Sequence, residues 1–173
     1  NGVRHDGKLT KKDHGVNVFN DIGKVVILVN SAGVSQVGNI ENTTEADFDM
    51  LYNVNVKGVY NCLQPAISIM KKNKKGVILN LASIANNIGL ADRFAYSMTK
   101  GAVYAMTLSV ARDYIAEGIR CNCISPARVH TPFVDDFIKK NYQGKENEML
   151  ETLSKSQTIG RMEKPQGLTK SSV

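Results

Sequence analysis

The sequence predicts an α/β protein built around a parallel sheet. Strand patterns recur at 25–29, 76–82 and 119–124, with helical patterns between them. The first is a continuous apolar run rich in β-branched residues, bounded by Gly and Asn, and a short run of that kind reads as a strand buried on both faces. Strand, helix, strand, helix, strand is the alternation of a parallel sheet.

Taken in order, residues 1–16 are polar and unpatterned and carry no element. A helix end fits 17–22, closed by Gly23. Val25, Val26, Ile27, Leu28 and Val29 form the first strand. It ends in Asn30-Ser31-Ala32-Gly33, small residues that let backbone approach a ligand closely. Thr44 can cap the next helix, with Asp47 answering three residues on. That helix runs through Phe48, Leu51 and Tyr52, and Asn53 and Asn55 interrupt it, because asparagine competes for nearby backbone groups. It resumes through Val59, Leu63, Ile67 and Met70, with Pro65 expected to kink it. The second strand, 76–82, ends at Ser83, and a loop leads to a helix over 93–117. Ala102, Val103, Met106, Val110 and Tyr114 form its apolar stripe, and Gly118 stops it. The third strand, 119–124, ends at Ser125-Pro126. Thr131 or Pro132 opens a further helix through Phe133 and Phe137, and a weaker helical pattern covers 147–154. The tail from Lys164 is polar and unassigned. The whole of 1–173 is expected to be a single domain.

Composition narrows the class. Hydrophobic residues are 42% and charged residues 22% of the 173, ordinary for a soluble globular protein. No apolar run reaches the ~18 residues that cross a membrane, and the start shows no signal-peptide pattern. Three cysteines, Cys62, Cys121 and Cys123, lack CxxC spacing, which argues against a disulfide framework or a zinc site. Cys121 and Cys123 share a strand face and read as small buried hydrophobes. A reducing, cytoplasmic compartment fits. The net charge of +6 comes from scattered lysines, among them Lys11, Lys12, Lys71, Lys72, Lys74, Lys75, Lys139 and Lys140. No aromatic-rich strand accompanies them, as single-strand nucleic-acid binding would require. No metal and no nucleic acid are expected.

The chemistry gathers at Tyr96 and Lys100, four apart in the long helix and therefore on one face. A phenol ordinarily titrates near ~10. A positive charge about 4 Å away, at an effective dielectric near 20, favours the phenolate by roughly 4 kcal/mol. That is about 3 pKa units, and a general acid or base works best near the operating pH. On its own the pair reads more readily as a piece of solvated helix surface. In parallel sheets, however, ligands bind outside the carboxyl ends of the strands. Asn30 to Gly33, Ser83, Pro126 onward and the start of the Tyr96 helix all fall there.

These residues are similar to the short-chain dehydrogenase/reductase family. Asn30-Ser31-Ala32-Gly33 resembles its Asn-Asn-Ala-Gly motif, and Asn55-Val56-Lys57-Gly58 its Asn-x-x-Gly. Ser83 precedes Tyr96 by 13 positions (96 − 83), the family interval, and Tyr96 to Lys100 is the Tyr-x-x-x-Lys signature. Pro126-Ala127-Arg128-Val129-His130-Thr131 resembles the Pro-Gly-x-Val-x-Thr segment beside the nicotinamide. The resemblance implies a Rossmann-like doubly wound parallel sheet and hydride transfer between NAD or NADP and a secondary alcohol or ketone. It implies catalytic roles for Asn55, Ser83, Tyr96 and Lys100. Tyr96 exchanges the proton, Ser83 binds the carbonyl oxygen, and Lys100 lowers the tyrosine pKa and holds the nicotinamide ribose. Asn55 positions a water. Asn30, Ala32, Gly33, Tyr96, Lys100, Pro126, Ala127, Val129 and Thr131 would bind the cofactor.

The likeness covers 25–161, and the fold it implies is incomplete. Nothing in 1–24 matches the family's first strand and Gly-rich phosphate turn, and its last strand is absent. Ala127 and Ser31 are mild departures, and Val26 stands where the family often has aspartate. A narrower likeness to dehydrogenases of 3-hydroxybutyrate and keto-deoxy sugar acids rests on 119–123, Thr131-Pro132 and Gly160-Arg161. Arg93, one turn before Tyr96, suits an anionic small-molecule substrate, with Arg161 as a second contact. A homo-oligomer is implied for the complete protein. The competing reading is a non-catalytic remnant that associates through its helices.

Overall fold

Three parallel strands, β1 (Ile27–Asn30), β2 (Gly76–Leu81) and β3 (Ile119–Ile124), pair in the order β1-β2-β3. The computed structural model describes Thr10, Val18, Phe19, Asp21 and residues 23–170, the side chains of Phe133, Asn141 and 168–170 excepted. It divides into two compact units, the first ending at Ser125 and the second beginning at Pro126.

In the first unit, the register sets Leu28, Ile78 and Cys121 in one row and Asn30, Asn80 and Cys123 in another. Side chains alternate along a strand, so these rows share a face. Two helices, α2 (Gly58–Asn73) and α3 (Phe94–Tyr114), close on that face. Leu63, Ala66, Ile67 and Met70 of α2 and Val103 of α3 meet Ile78, Ile119 and Cys121 there as one core. Met106, Val110 and Tyr114 pack against it, so the stripe predicted on this helix is the face it buries.

The opposite face corrects the reading of the first strand as buried on both sides. Ile27 is 65% and Val29 54% exposed. The helices that pack on the sheet lie on the other side, and β1 is an edge strand. Pairing begins where Val77 N–H donates to Val26 O at 2.9 Å, while Val25 is buried in the core.

Helix α1 (Glu45–Tyr52) starts as the sequence predicts. Thr44 Oγ1 accepts from Asp47 N–H at 3.2 Å and donates to Asp47 Oδ2 at 2.7 Å. The interruption expected at Asn53 and Asn55 is a π-helical turn, Asn53–Lys57, so the chain stays helical into α2. Pro65 sits inside α2 and the helix continues through it. After α3 a short 3-10 turn, Ile115–Glu117, leads to Gly118 at φ +74°. A side chain at Gly118 would run into Lys74 O, and Gly118 O accepts from Gly76 N–H at 3.2 Å. That contact joins the start of β3 to the start of β2. Upstream, Val18, Phe19 and Asp21 are helical, and Gly23 N–H donates to Phe19 O at 3.1 Å. Residues 1–9, 11–17, Asn20 and Ile22, and with them most of the unassigned start, lie outside the described residues.

The second unit carries α4 (Pro132–Asn141), α5 (Glu146–Lys155) and α6 (Pro165–Lys170). Thr131 holds the N-cap position of α4 through its backbone, Thr131 O accepting from Val134 N–H at 2.9 Å, with Pro132 at the first position, where a missing N–H costs nothing. Val129 bridges Glu163 in parallel, with His130 N–H donating to Glu163 O at 2.8 Å and Glu163 N–H to Arg128 O at 2.9 Å. Helix α6 occupies the tail that the sequence pattern leaves unassigned. No helix among the described residues is long and apolar enough to cross a membrane.

Candidate active site

The carboxyl ends of β1 and β2, the π turn and the first turns of α3 come together around Lys100. Its side chain is 6% exposed, and Nζ donates to Leu81 O at 2.7 Å. Burial pushes its pKa below the ordinary lysine value. The Tyr96 ring, four residues earlier, has its centre 5.9 Å from Nζ. A Cβ placed on Gly33 would stand 3.5 Å from Nζ and 3.4 Å from Asn55 Oδ1. The backbone at 33, just after β1, thus lies in van der Waals reach of both side chains. An ammonium has three donors, and the Leu81 carbonyl takes one.

Ser83 follows β2 in extended conformation, φ −167° and ψ 156°, and caps a short 3-10 turn, Ile84–Asn86. Its Oγ accepts from Ala85 N–H at 3.2 Å, and its own N–H donates to Asn86 Oδ1 at 3.4 Å. Accepting at Oγ leaves the hydroxyl hydrogen for another acceptor. Ser125 Oγ also donates to Asn86 Oδ1, at 2.9 Å, which ties the end of β3 to this turn.

Asn55 lies in the π turn and is 1% exposed. Its amide reads the backbone of Val34 on both sides. Oδ1 accepts from Val34 N–H at 2.8 Å and Nδ2 donates to Val34 O at 2.9 Å. The second Nδ2 hydrogen goes to Thr99 Oγ1 at 3.0 Å. Thr99 in turn donates to Tyr96 O at 2.8 Å.

A second buried chain of hydrogen bonds links the sheet to α3. Asn30 Nδ2 donates to Asn80 Oδ1 at 2.8 Å, Asn80 Nδ2 to Thr107 Oγ1 at 2.9 Å, and Thr107 Oγ1 to Val103 O at 2.8 Å. The side chain of Asn30, expected at the cofactor, is therefore turned into the sheet. Asn80, Thr99 and Thr107 are absent from the candidates read from sequence. Asn80 carried a usable signal: an asparagine inside an apolar strand must find a partner, and the parallel register supplies Asn30.

Ala32 is exposed beside a cleft of about 220 Å³ that Asn30, Ser31, Val54, Gly58 and Cys62 also line. Arg93 holds the N-cap of α3, where Gly38 bridges it: Gly38 N–H donates to Asp92 O at 2.9 Å and Phe94 N–H to Gly38 O at 3.0 Å. Arg93 Nη1 donates to Asp92 O at 3.1 Å. Pro126, Ala127, Val129 and Thr131 belong to the second unit, and their roles rest on the sequence alone. So does that of Arg161, whose Nη1 is 3.2 Å from Glu163 Oε2. Cys62, Cys121 and Cys123 are free thiols. Burial raises the Cys62 pKa, and burial with the neighbouring Cys123 pushes Cys121 up to about 11.

The family model described as enoyl-(acyl carrier protein) reductase matches residues 12–172. "Dehydrogenase/reductase SDR family member 6" of Xenopus laevis is 42% identical over 132 residues, covering 76% of this chain and 54% of that protein. The protein of the same name from Rattus norvegicus is 37% identical over 154 residues, 88% of this chain and 62% of its own length. The chain thus spans little more than half of these relatives. Aldohexose dehydrogenase of Thermoplasma acidophilum, solved ligand-free, superposes at a TM-score of 0.90 with 26% identity, over 97% of this chain and 68% of that one. ElxO with NADP bound superposes at 0.88 with 25% identity, over 96% and 67%. Matched over nearly its whole length, and carrying the Tyr-x-x-x-Lys pair on the buried rim just described, the chain belongs to the short-chain dehydrogenase/reductase family.

Proposed function

We propose that the polypeptide carrying this chain interconverts a secondary alcohol and a ketone, with NAD or NADP as hydride carrier. The observation that carries the reading is the buried Lys100 ammonium, held on Leu81 O at 2.7 Å and 5.9 Å from the Tyr96 ring centre. A buried charge on a single carbonyl is expensive. Its two further donors suit ribose hydroxyls, and the bare backbone of Gly33 beside it suits close approach by a flat ring. The residues present fit the nicotinamide end of such a cofactor. Lys100, Tyr96, Gly33 and Ala32 would hold it, with the backbone of Asn30, and Pro126, Ala127, Val129 and Thr131 by sequence likeness. When bound, the cofactor supplies or accepts the hydride.

Tyr96 then carries the proton, at its phenolic oxygen, to or from the carbonyl oxygen of the substrate. The Lys100 ammonium, 5.9 Å from the ring centre, would assist that transfer. Ser83, with its hydroxyl hydrogen unspent on Ala85, donates to the same oxygen. Asn55 holds the Val34 backbone and orders the water that links Lys100 to solvent. Arg93, at the mouth of α3, and Arg161 favour a hydroxy-acid substrate. The free thiols fit a cytoplasmic setting. Exposed Tyr60 of α2 and Tyr104 and Leu108 of α3 suit a homo-oligomeric contact between these helices.

The test is Tyr96→Phe in the complete polypeptide, assayed as NAD- and NADP-linked oxidation of 3-hydroxybutyrate and of uncharged secondary alcohols. General acid–base catalysis is worth about 10²–10⁴-fold, so turnover should fall at least about 100-fold while cofactor affinity holds. Activity within about tenfold of wild type, a loss of only ~1.4 kcal/mol, overturns the assignment. An equal effect of Arg93→Ala on charged and uncharged substrates removes Arg93 from the substrate site.

A further inference from the structure

We infer that Thr99 is a positioning residue, the clamp that holds Asn55, and through it the Val34 backbone, against the catalytic helix. It stands between two residues of the proposed machinery in sequence, three after Tyr96 and one before Lys100. Its side chain is fully buried and carries two hydrogen bonds with opposite roles. The hydroxyl donates to Tyr96 O at 2.8 Å, which commits its only hydrogen. Its lone pairs must then face away from the helix axis, and there they accept Asn55 Nδ2 at 3.0 Å.

The consequence spreads from that oxygen. Asn55 has two amide hydrogens and uses them on Val34 O and Thr99 Oγ1, while its oxygen takes Val34 N–H. Val34 is the residue after Gly33, whose backbone borders both Asn55 Oδ1 and Lys100 Nζ. Thr99 therefore closes a ring through the π turn, the end of β1 and α3. Without it, Asn55 would keep its hold on Val34 but lose its tie to the helix that carries Tyr96 and Lys100. More water would then reach Nζ past Gly33 than the single molecule that Asn55 orders. The inference rests on reading Tyr96, Lys100 and Asn55 as proton machinery, yet its test needs neither substrate nor cofactor. A failure of the clamp and a failure of the oxidoreductase reading are thereby distinguishable.

The test compares Thr99→Val, which keeps the shape and removes the hydroxyl, with Thr99→Ser, which keeps the hydroxyl. Two readouts are taken on the folded polypeptide. One is hydrogen exchange at the Val34 amide, referred to that of Ile78 in the central strand as a measure of global opening. In Thr99→Val, exchange at Val34 should quicken about tenfold or more relative to Ile78, because Asn55, untied from α3 by the loss of one hydrogen bond, releases the Val34 amide more often. The other is the titration of Lys100, followed by the chemical shift of its Cε. Hydration should move its midpoint up by about half a pH unit or more, towards the ordinary lysine value. Thr99→Ser should restore both. If Thr99→Val does not fold, Thr99→Ala carries the same comparison. An unchanged Val34-to-Ile78 ratio, an unmoved Lys100 midpoint, or a serine variant as disturbed as the valine one overturns the inference.

Discussion

Asn80 shows how one side chain can tie three elements. It sits in the central strand, fully buried, accepting from Asn30 of β1 and donating to Thr107 of α3. Asn80→Leu would preserve much of the volume but leave Asn30 Nδ2 without its acceptor. An unsatisfied buried donor costs about 1–3 kcal/mol, so urea unfolding should report a loss of about 2 kcal/mol, of the order of one such orphaned group. A loss below about 0.5 kcal/mol, the scale of an ordinary surface change, would mean that water replaces the chain. Lys100 gives a prediction in pH. Its folded pKa is lowered by burial, so above that value the unfolded chain binds more protons than the native one. Stability then rises with pH through the folded pKa, up to the unfolded value of about 10.4. Below the folded pKa the burial penalty is present in full. Lys100→Met removes the titration. The stability of the natural protein minus that of the Met variant should climb as pH rises through this alkaline window, and a flat difference would sink the idea. The sequence shows Tyr96 and Lys100 as a pair because their spacing is local. It does not show Leu81 O as the acceptor for Lys100, 19 residues away, or Thr99 as the acceptor for Asn55, 44 residues away. Only the tertiary fold brings those partners together.

At the scale of elements, strands and helices were legible where periodicity and end signals agree. The Thr44–Asp47 cap, the Pro132 start and the Gly118 stop all stand where local chemistry puts them. The face exposed on β1 was not legible, because an apolar run of five residues reads the same whether one or two layers cover it. Nor was the π turn, since Asn53 and Asn55 signal competition with a helix but not its outcome. Gly118 offers the test at this scale. Its φ of +74° is left-handed, and an alanine methyl would meet Lys74 O. Gly118→Ala should destabilise by about 1–3 kcal/mol, the range for held backbone strain, and by displacing Lys74 should loosen the Gly76–Gly118 contact. Thermal unfolding checks the first and hydrogen exchange at Gly76 the second. An alanine variant as stable as the glycine would show that the turn can relax.

At the scale of the molecule, the sheet among the described residues has three strands with β1 and β3 at its edges, and Val26, Ile27 and Val29 are exposed at and just before β1. Open apolar edges present unpaired backbone groups and template association with other chains. The 173-residue chain, purified on its own, should therefore associate on size-exclusion chromatography. Ile27→Lys, a charge on the exposed face of the edge, should reduce that association and leave the core intact. Cofactor affinity follows the same logic. A dinucleotide pyrophosphate is normally held by a Gly-rich turn at a helix N-terminus, and no such motif occurs in 1–24. Charge-assisted hydrogen bonds are worth about 1.5–3 kcal/mol each, so lacking two of them weakens binding by roughly a thousandfold. Calorimetry of this chain with NAD and with NADP should give no binding at micromolar concentrations. A monodisperse species that binds either cofactor at micromolar affinity would mean that another part of these residues supplies the phosphate cradle, and that the exposed face of β1 is covered in solution.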